Sequence, residues 1–322
     1  MHFLVKWVIV KAVENYQAAL NYETLVMALG RADCFCISVF DELSQNCNIE
    51  EELPFNVKSY SQISEISDLI LSECYLKCRA AFEKLPPETQ IIDNKSPYWP
   101  KNASGVKYLY LLGNKELLLQ PGLSVVGTRT PSSRGSQLTQ EVVQALGENG
   151  FAIVSGLAKG VDGIAHIAAL ARNFATIGVI GTSVCEVYPK EHAKLQALVA
   201  QHGLVVSQFA PSRQVQRYFF MQRNQLMSEI SLGSFVIEDR DGGGAVQQAQ
   251  YSQKQGKKVF VLKEVYENRT FLWPRKFENA VVVKDPANAG KMVKKTLVSG
   301  EKPVSSKRQS KALDPNVQPE LF

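Results

Sequence analysis

Seven short apolar runs, rich in β-branched residues, alternate with amphipathic segments from about residue 107 onward. A strand buried on both faces shows as a continuous apolar run, and alternation of such runs with helices is typical of a parallel sheet covered on both faces. Gly150, Gly203 and Gly256 each follow a helical pattern directly before the next run, as expected where a helix stops. We therefore predict an α/β protein with a Rossmann-like, doubly wound, mostly parallel sheet. The seven runs are LSVVG, FAIVSG, ATIGVIGT, LVVSQF, SFVIED, KKVFVL and AVVV.

The two ends of the chain differ in composition from this centre. Residues 1–95 carry Ala, Leu, Glu and Val at helical spacing, which predicts a small helical N-terminal region. Residues 96–288 are predicted to form the Rossmann-like domain. Residues 289–322 are predicted to form a basic, flexible, disordered tail, because residues 291–311 hold seven Lys or Arg against one acidic residue. Such a tail suits either a polyanion or plain solubility.

Composition bounds the chemistry further. The chain has 322 residues, a formal net charge of +5 and six cysteines, none of them paired at zinc-ligand spacing. Buried free thiols are expected, with no metal and no cofactor. No apolar stretch is long enough to span a bilayer, and Lys6 and Lys11 interrupt the N-terminal apolar run, which argues against a signal peptide. A cytoplasmic protein without a membrane partner is expected.

Small, hydroxylated and basic residues follow four of the predicted strands. In an open α/β sheet, ligands bind at the edge where the carboxyl ends of parallel strands meet. Glycine lets the backbone approach a phosphate, helix N-termini supply partial positive charge, and an arginine adds a planar fork. We predict a phosphate-binding crevice at this edge; the alternative is ordinary turn chemistry. The four strand-end segments contain Gly127, Thr128 and Arg129; Ser155, Gly156 and Lys159; Gly181 and Thr182; and Gly242, Gly243 and Gly244.

The usual nucleotide motifs and catalytic constellations do not match. The first strand is not followed by G-x-G-x-x-G, the ribose-binding acid is missing, and the sequence holds no G-x-x-x-x-G-K-[ST] loop. Asp162 and His166 lie four residues apart on a predicted helix. They are either an acid–base pair or a helix-capping Asp above a packed His, and the second interpretation is preferred. Neither lies beside a Ser or Cys in a way that suggests a triad, so we predict that the protein is not an enzyme.

Four motifs, in order along the chain, resemble one known family. SGLAKGVDGIAHIAAL matches S-G-L-A-[RK]-G-[IV]-D-x-x-A-H-x-x-A-L almost position for position, and IGVIGTSVCEVYPKEH resembles G-T-G-x-x-x-x-Y-P-x-x-[NH]. GTRTPSSRG resembles a glycine–serine–arginine loop, and FFMQRNQLMSEIS resembles F-P-x-R-N-R-x-I-[AS]-x-L-S. The match extends over residues 107–262. On these motifs the chain resembles the DprA/Smf family of DNA-processing proteins.

The resemblance implies a protein that binds and protects single-stranded DNA, self-associates as a homodimer, and assists loading of a RecA-type recombinase during DNA uptake, transformation or recombination. By position it implies that Arg129 and Lys159 hold phosphates, while Arg223 and Asn224 line the same groove. The DNA-binding residues predicted in this way are Gly127, Thr128, Arg129, Ser155, Gly156, Lys159, Gly181, Thr182, Arg223, Asn224 and Gly243.

The chain departs from the family pattern at three places. Gln225 stands where the family has a second arginine, which removes one phosphate contact. The segment DGGGAVQQ stands where the family has G-S-x-x-T-A, so hydroxyls are replaced and Asp241 adds a negative charge. The segment KEVYENRTFLWPRKFENAVVV follows the last matched strand in place of a proline-rich, serine–glycine segment. We interpret the chain as a divergent member.

Aromatic residues near these motifs allow two interpretations each. Tyr188 and Pro189 form either a loop anchor or a base-stacking platform. Tyr218, Phe219 and Phe220 either pack in the core at helical spacing or stack on bases.

The C-terminal sequence QPELF resembles a Q-x-x-L-F peptide with which bacterial proteins bind the replicative sliding clamp. On this resemblance, Gln318, Leu321 and Phe322 are predicted partner-binding residues.

Two other classes of function stay open. One is a nucleotide-binding or nucleotide-cleaving Rossmann-like domain with a P-G-G-x-G-T-x-x-E loop, although Gln247 and Gln248 stand about where its catalytic Glu belongs. The other is an interaction adaptor that works through the N-terminal helices and the tail.

Overall fold

A mixed sheet of nine strands forms the centre of the computed structural model, which describes residues 14–278 and 280–299. The strand order is β1-β2-β6-β5-β4-β3-β7-β8-β9. Strands β3 to β9 are parallel, whereas β1 pairs with β2, and β2 with β6, in antiparallel register. The strands are β1 Gln90–Ile92, β2 Leu109–Gly113, β3 Gly122–Val126, β4 Ala152–Ser155, β5 Thr176–Ile180, β6 Leu204–Ser207, β7 Gly233–Val236, β8 Lys258–Leu262 and β9 Ala280–Val283.

The seven apolar runs form the seven parallel strands β3 to β9, which confirms the predicted fold class. Every residue of β3, β4, β5, β6 and β7 is buried, because helices cover both faces of the sheet. The chain moves outward from β3 to β6, then returns to the other side of β3 with β7. Right-handed crossovers in opposite directions place their helices on opposite faces. The reversal leaves a topological switch point between β3 and β7, where such sheets bind ligands.

Eleven helices occur in the described ranges of the chain. Helices α5 to α9 connect the parallel strands. The helices are α1 Tyr16–Leu29, α2 Asp33–Asn46, α3 Leu53–Ser64, α4 Asp68–Phe82, α5 Ser133–Glu148, α6 Val161–Leu170, α7 Ala193–His202, α8 Phe219–Ile230, α9 Gly244–Lys254, α10 Lys263–Glu267 and α11 Ala289–Ser299.

The N-terminal helices α1 to α4 pack on the edge of the sheet that the antiparallel strands form. Tyr108, Tyr110 and Val205 from this edge share a buried apolar cluster with the helices. Strand β1, which lies within the segment 1–95 predicted to be helical, extends the sheet by three residues. So short a strand carries too few residues to show a period in the sequence.

The start of the predicted flexible tail is a helix. Ala289 and Val293 of α11 are fully buried in the main core. Met292 and Leu297, partly buried, continue this apolar stripe at helical spacing, while Lys291, Lys294 and Lys295 face solvent. The basic composition of residues 289–299 therefore belongs to one face of a packed helix rather than to a flexible segment. Residues 300–322, including Gln318, Leu321 and Phe322, lie outside the described residues.

All six cysteines carry free thiols, and Cys36, Cys74 and Cys78 are buried. Across the described part of the chain, no cluster of His, Cys, Asp or Glu is arranged to hold a metal ion. Among the helices described, none combines the length and apolarity needed to cross a bilayer.

Candidate functional site

A shallow cleft lies at the carboxyl ends of β4 and β5. Its volume is about 40 Å³. Loops after β3, β4 and β5 form its sides, and α8 closes the fourth side. It brings together three basic residues that are up to 94 positions apart in sequence. The lining residues are Arg129, Gly156, Ala158, Lys159, Gly181, Tyr188, Pro189, Phe220 and Arg223.

Five of the predicted DNA-binding residues line this cleft: Arg129, Gly156, Lys159, Gly181 and Arg223. The remaining six are absent from the lining described here: Gly127, Thr128, Ser155, Thr182, Asn224 and Gly243.

Two of the three cations are exposed, and the third is not. Arg129 and Lys159 present their side chains to solvent from neighbouring loops. Arg223 is only 6% exposed, and its Nη1 donates hydrogen bonds to the carbonyl oxygens of Gly156 and, at 3.0 Å, Val179. Burial lowers the pKa of Arg223, an effect that the nearby Asp162 carboxylate opposes. Arg223 therefore lies at the floor of the cleft, within the groove that the family resemblance implied it lines, but as a buried residue and not as an exposed cation.

The glycines at this edge are required by close packing within the protein. A Cβ atom at Gly156 would lie 1.7 Å from Nη1 of Arg223, and a Cβ at Gly181 would lie 2.8 Å from the Phe220 ring. Gly160 has φ +74°, and a Cβ there would lie 2.4 Å from the Thr128 carbonyl oxygen of the adjacent loop. These glycines let the strand-end loops and α8 approach one another, which differs from the predicted role of admitting a phosphate to the backbone.

The predicted hydroxyl ligands already form hydrogen bonds with backbone atoms of the protein. The Ser155 hydroxyl is buried and donates to the Val125 carbonyl oxygen at 2.7 Å. Thr128 Oγ1 accepts a hydrogen bond from the Thr130 amide at 3.3 Å, and Thr182 Oγ1 donates to the Glu186 carbonyl oxygen at 3.4 Å. Asn224, adjacent to Arg223 on α8, is half-buried and is absent from the lining of the cleft.

In the strand-end segment after β7, an acidic side chain binds the free amides at the start of α9. Asp239 Oδ2 accepts hydrogen bonds from the amides of Ala245 and Val246 at 2.9 and 3.2 Å, in the first turn of α9. Gly243 is buried, and a Cβ there would lie 2.1 Å from the Asp239 carboxylate. A carboxylate at this position satisfies the free amides and the positive end of the helix dipole. The expected phosphate cradle at Gly243 is thus filled by the protein itself.

The segment between β8 and β9 covers the same region. Asp241 accepts hydrogen bonds from the amides of Leu272 and Trp273, the latter at 2.6 Å. The Trp273 indole donates to the Asp239 carbonyl oxygen at 2.8 Å. The divergent sequence after β8 therefore closes the β7 half of the edge, and the open cleft is confined to the β4 and β5 half.

Asp162 and His166 have the packing roles that were preferred from the sequence. Asp162 Oδ2 accepts a hydrogen bond from the Gly156 amide at 3.1 Å, and the residue is 7% exposed. His166 Nδ1 forms a 2.8 Å hydrogen bond with the Thr176 hydroxyl, and the ring is fully buried. Burial lowers the pKa of His166 to about 3, so the ring is neutral at pH 7. His166 is also absent from the lining of the cleft.

Two aromatic rings form one wall of the cleft. Tyr188 is 50% exposed, and its ring centroid lies 5.1 Å from that of half-buried Phe220. Phe219, the next residue, is buried and stacks on Phe209 with centroids 4.1 Å apart and ring planes 11° apart. The aromatic run at the start of α8 therefore divides into a core anchor, Phe219, and a cleft residue, Phe220.

Glu191 lies next to the cleft, and the sequence interpretation missed it. Its carboxylate forms an ion pair with the Lys159 ammonium, and the two side chains are 53% and 55% exposed. Glu191 follows Tyr188 and Pro189 in the Y-P-x-x-H segment, so its proximity to the cleft was readable from the motif. Its pairing with Lys159 was not, because the two residues belong to loops after different strands.

Comparisons with known proteins agree with the motif resemblance. The family model of DNA recombination-mediator protein A matches residues 90–283. The DNA processing protein DprA of Streptococcus pneumoniae is 37% identical over 154 residues, which is 48% of this chain and 54% of the relative. That of Bacillus subtilis is 31% identical over 186 residues, 57% of this chain and 63% of the relative. The matched stretch thus spans less than two thirds of these relatives.

Solved structures of DNA processing protein A are similar in fold. The crystal structure from Streptococcus pneumoniae has a TM-score of 0.69 and 26% identity, covering 87% of this chain and 97% of that one. The structure from Helicobacter pylori, reported for its single-stranded DNA binding mode, has a TM-score of 0.57 and 27% identity, covering 65% and 96%. Because the family model matches more than half of the residues, the chain belongs to the DNA recombination-mediator protein A family.

Proposed function

We propose that the protein binds single-stranded DNA across the β4–β5 cleft, with phosphates held by Arg129 and Lys159. The observation that carries the proposal is the meeting of these two exposed cations, from loops after different strands, at one open strand edge. Arginine and lysine at such an edge provide phosphate contacts that do not depend on base sequence. The single-stranded DNA binding described for the Helicobacter pylori relative is in line with this assignment.

The aromatic wall favours single strands over duplexes. Tyr188 and Phe220 lie beside the cations and offer ring surface within the cleft. Unpaired bases stack on such rings with about 1–3 kcal/mol per base, whereas the base faces of a duplex are already stacked. Phosphates on Arg129 and Lys159 and a base against the aromatic wall together describe a site for an unpaired strand.

The geometry fits a surface track better than an enclosed nucleotide site. The cleft volume of about 40 Å³ is far below the roughly 300 Å³ or more that encloses a small ligand. Gln248 is buried with its amide donating to Ser124, and Gln247 is a second amide, so neither supplies the carboxylate that nucleotide cleavage requires. We therefore propose a binding protein without catalytic activity.

A binding assay across a salt series tests the proposal. The full chain is titrated onto fluorescent 20-nucleotide single strands and matched duplexes of mixed sequence at several salt concentrations. We expect tighter binding of the single strand and an affinity that falls linearly in log–log form with salt. Equal affinity for the duplex, or no dependence on salt, would contradict the proposal. Release of ribose phosphate from a panel of nucleotides would instead favour the cleavage alternative.

The wider cellular role is proposed on family membership. The protein would act in the cytoplasm, protect incoming single strands and assist loading of a RecA-type recombinase, as a homodimer. Recombinase ATP hydrolysis on strands coated with single-strand-binding protein should increase when the chain is added. The molar mass of the protein alone, measured by light scattering, tests the dimer. A monomer at micromolar concentration would contradict the proposed homodimer.

The C-terminal peptide is proposed as a separate contact with the sliding clamp. Gln318, Leu321 and Phe322 lie outside the described residues, so the proposal depends on the sequence QPELF alone. Capture of purified clamp by the full chain and by a chain lacking residues 318–322 tests it. Equal recovery of the clamp in both experiments would contradict the proposed contact.

A further inference from the structure

A partly buried ionic cluster joins the N-terminal helices to the segment that leads into α8. Arg213 lies in the connection between β6 and α8, residues 208–218. Its Nε and Nη2 donate to the two carboxylate oxygens of Glu23 at 2.7 and 2.8 Å, and its Nη1 donates to Asp33 at 2.9 Å. Glu23, on α1, is 3% exposed, and Asp33 begins α2. One guanidinium therefore binds two N-terminal helices at once.

The same connection is held at both of its ends. Near its start, the Ser207 hydroxyl donates to the Thr182 carbonyl oxygen at 2.6 Å and accepts from the Phe209 amide at 3.0 Å. Phe209 then stacks on Phe219, the first residue of α8. The placement of the first turn of α8 thus depends on a segment whose middle is attached to the N-terminal helices through Arg213.

The first turns of α8 carry two cleft residues. Phe220 forms the aromatic wall with Tyr188, and Arg223 forms the floor through Gly156 and Val179. A fork with two parallel hydrogen bonds fixes orientation as well as distance, which a lysine ammonium does not. The geometry of the Arg213 cluster therefore affects the orientation of Phe220 and Arg223 in the cleft.

We propose that Arg213 is a positioning residue, through which the N-terminal helices hold α8 in the orientation that completes the single-strand cleft. The part of this inference that concerns DNA binding rests on the proposed function. The N-terminal helical region then serves the cleft, although α1 and α2 contribute no residue to its described lining.

The chain contains a matched control for this cluster. Lys107, just before β2, forms an ion pair with Asp41 of α2 at 2.5 Å. This pair also joins the N-terminal helices to the sheet, but none of the described hydrogen bonds or ion pairs links it to the connection before α8. Asp41→Asn therefore weakens the docking of the helices without releasing Arg213. Arg213→Lys keeps the charge beside buried Glu23 and removes the fork.

Two measurements on full-length protein decide the proposal. The first is hydrogen exchange of the α8 amides of residues 220–223 without DNA, with the amides of β4 and β5 as an internal reference for global stability. The second is affinity for a single strand containing 2-aminopurine, whose quenching reports base stacking. For Arg213→Lys we expect exchange at least about fivefold faster at residues 220–223, about fivefold weaker strand binding and reduced quenching, with an unchanged salt slope because Arg129 and Lys159 remain. For Asp41→Asn we expect neither change.

The outcomes separate this inference from the proposed function. Equal effects of Arg213→Lys and Asp41→Asn on α8 exchange, or an affinity and quenching unchanged by Arg213→Lys, would overturn the positioning role. Glu23→Gln, which retains the shape of the side chain, should reproduce the effects of Arg213→Lys if the cluster acts as a unit. Failure of the wild-type chain to bind single strands at any salt concentration would refute the proposed function, and the exchange comparison then decides the role of Arg213 on its own.

Discussion

The Lys159 ammonium is paired with the Glu191 carboxylate at the lip of the cleft, where a phosphate is proposed to bind. A strand that uses Lys159 must therefore displace or share an internal anion. Arg129, the other exposed cation, has no acidic partner among the ion pairs of the described residues. The two proposed phosphate contacts are therefore unequal.

Removing the Glu191 charge should strengthen DNA binding. Glu191→Gln frees Lys159 from an exposed pair, and such pairs contribute about 0.2–1 kcal/mol. We expect roughly a two- to fivefold lower Kd for single strands at low salt, measured by fluorescence anisotropy. Glu186→Gln removes the same charge from an exposed position nearby and serves as the control. An equal gain in both variants would indicate a general charge effect and no competition at Lys159.

Removing Arg129 should weaken binding of every sequence alike. A hydrogen bond to a charged group contributes about 1.5 kcal/mol or more, which corresponds to about tenfold in Kd. Arg129→Ala should also lower the salt slope by about 0.7 for single strands, the value for one phosphate contact. Lys58→Ala, an exposed position on α3, loses the same charge and should behave as wild type. A slope that does not change would place Arg129 outside the DNA contact.

The aromatic wall should report on bases and not on phosphates. Tyr188→Leu removes the half-exposed ring that lies against Phe220. Loss of one stacked base is expected to weaken binding by about 1 kcal/mol or more, while the salt slope stays the same. Titration with an abasic strand provides the control, since wild type and variant should then bind equally. Equal losses on normal and abasic strands would show that Tyr188 acts without stacking.

A methyl group at Gly156 should damage the floor of the cleft. The added Cβ would lie 1.7 Å from Arg223 Nη1, so the buried guanidinium must move away from its carbonyl partners. We expect Gly156→Ala to lower the free energy of unfolding by about 1–3 kcal/mol in urea titrations, a typical cost of overpacking. Gly244→Ala is the control, because nothing lies within 4 Å of its added Cβ and alanine favours a helix. Equal stability of the two variants would refute the packing role.

His166 should make the protein sensitive to mild acid. Burial lowers its pKa from 6.5 to about 3, so between these values the unfolded chain binds a proton that the folded chain does not. The stabilising contribution is complete above pH 6.5 and is lost progressively as the pH falls below that value.

Replacing His166 tests this linkage. In His166→Asn the amide takes the place of Nδ1 beside Thr176 and does not titrate. The loss of unfolding free energy between pH 7 and pH 5 should then be about 2 kcal/mol smaller than in wild type. Exposed His202→Gln should retain the wild-type pH dependence. An identical pH dependence for His166→Asn and wild type would show that His166 is not the responsible group.

Much of the fold was predictable because each parallel strand is buried along its length. A strand such as SFVIED can be predicted from its own sequence, since its consecutive apolar side chains indicate burial on both faces. The meeting of Arg129 and Lys159 was predictable for a related reason: the carboxyl ends of parallel strands share one edge of a sheet. The short strand β1 and the packed start of the predicted tail were not predicted, because three residues show no period and the lysines of α11 masked its apolar stripe.

The sequence by itself determined the class of fold, the edge of the sheet where the cleft lies and the two exposed cations. Only the tertiary structure decided that Arg223 turns inward beneath Gly156. It also decided that Asp239 accepts hydrogen bonds from the amides that follow Gly243, and that Glu191 pairs with Lys159. The physical reason is that a local pattern encodes the period and burial of one element, whereas hydrogen-bond partners come from distant parts of the chain. Arg223 and Gly156 are 67 positions apart, and Arg213 and Glu23 are 190 apart. Their contacts exist only after the sheet and its helices have assembled.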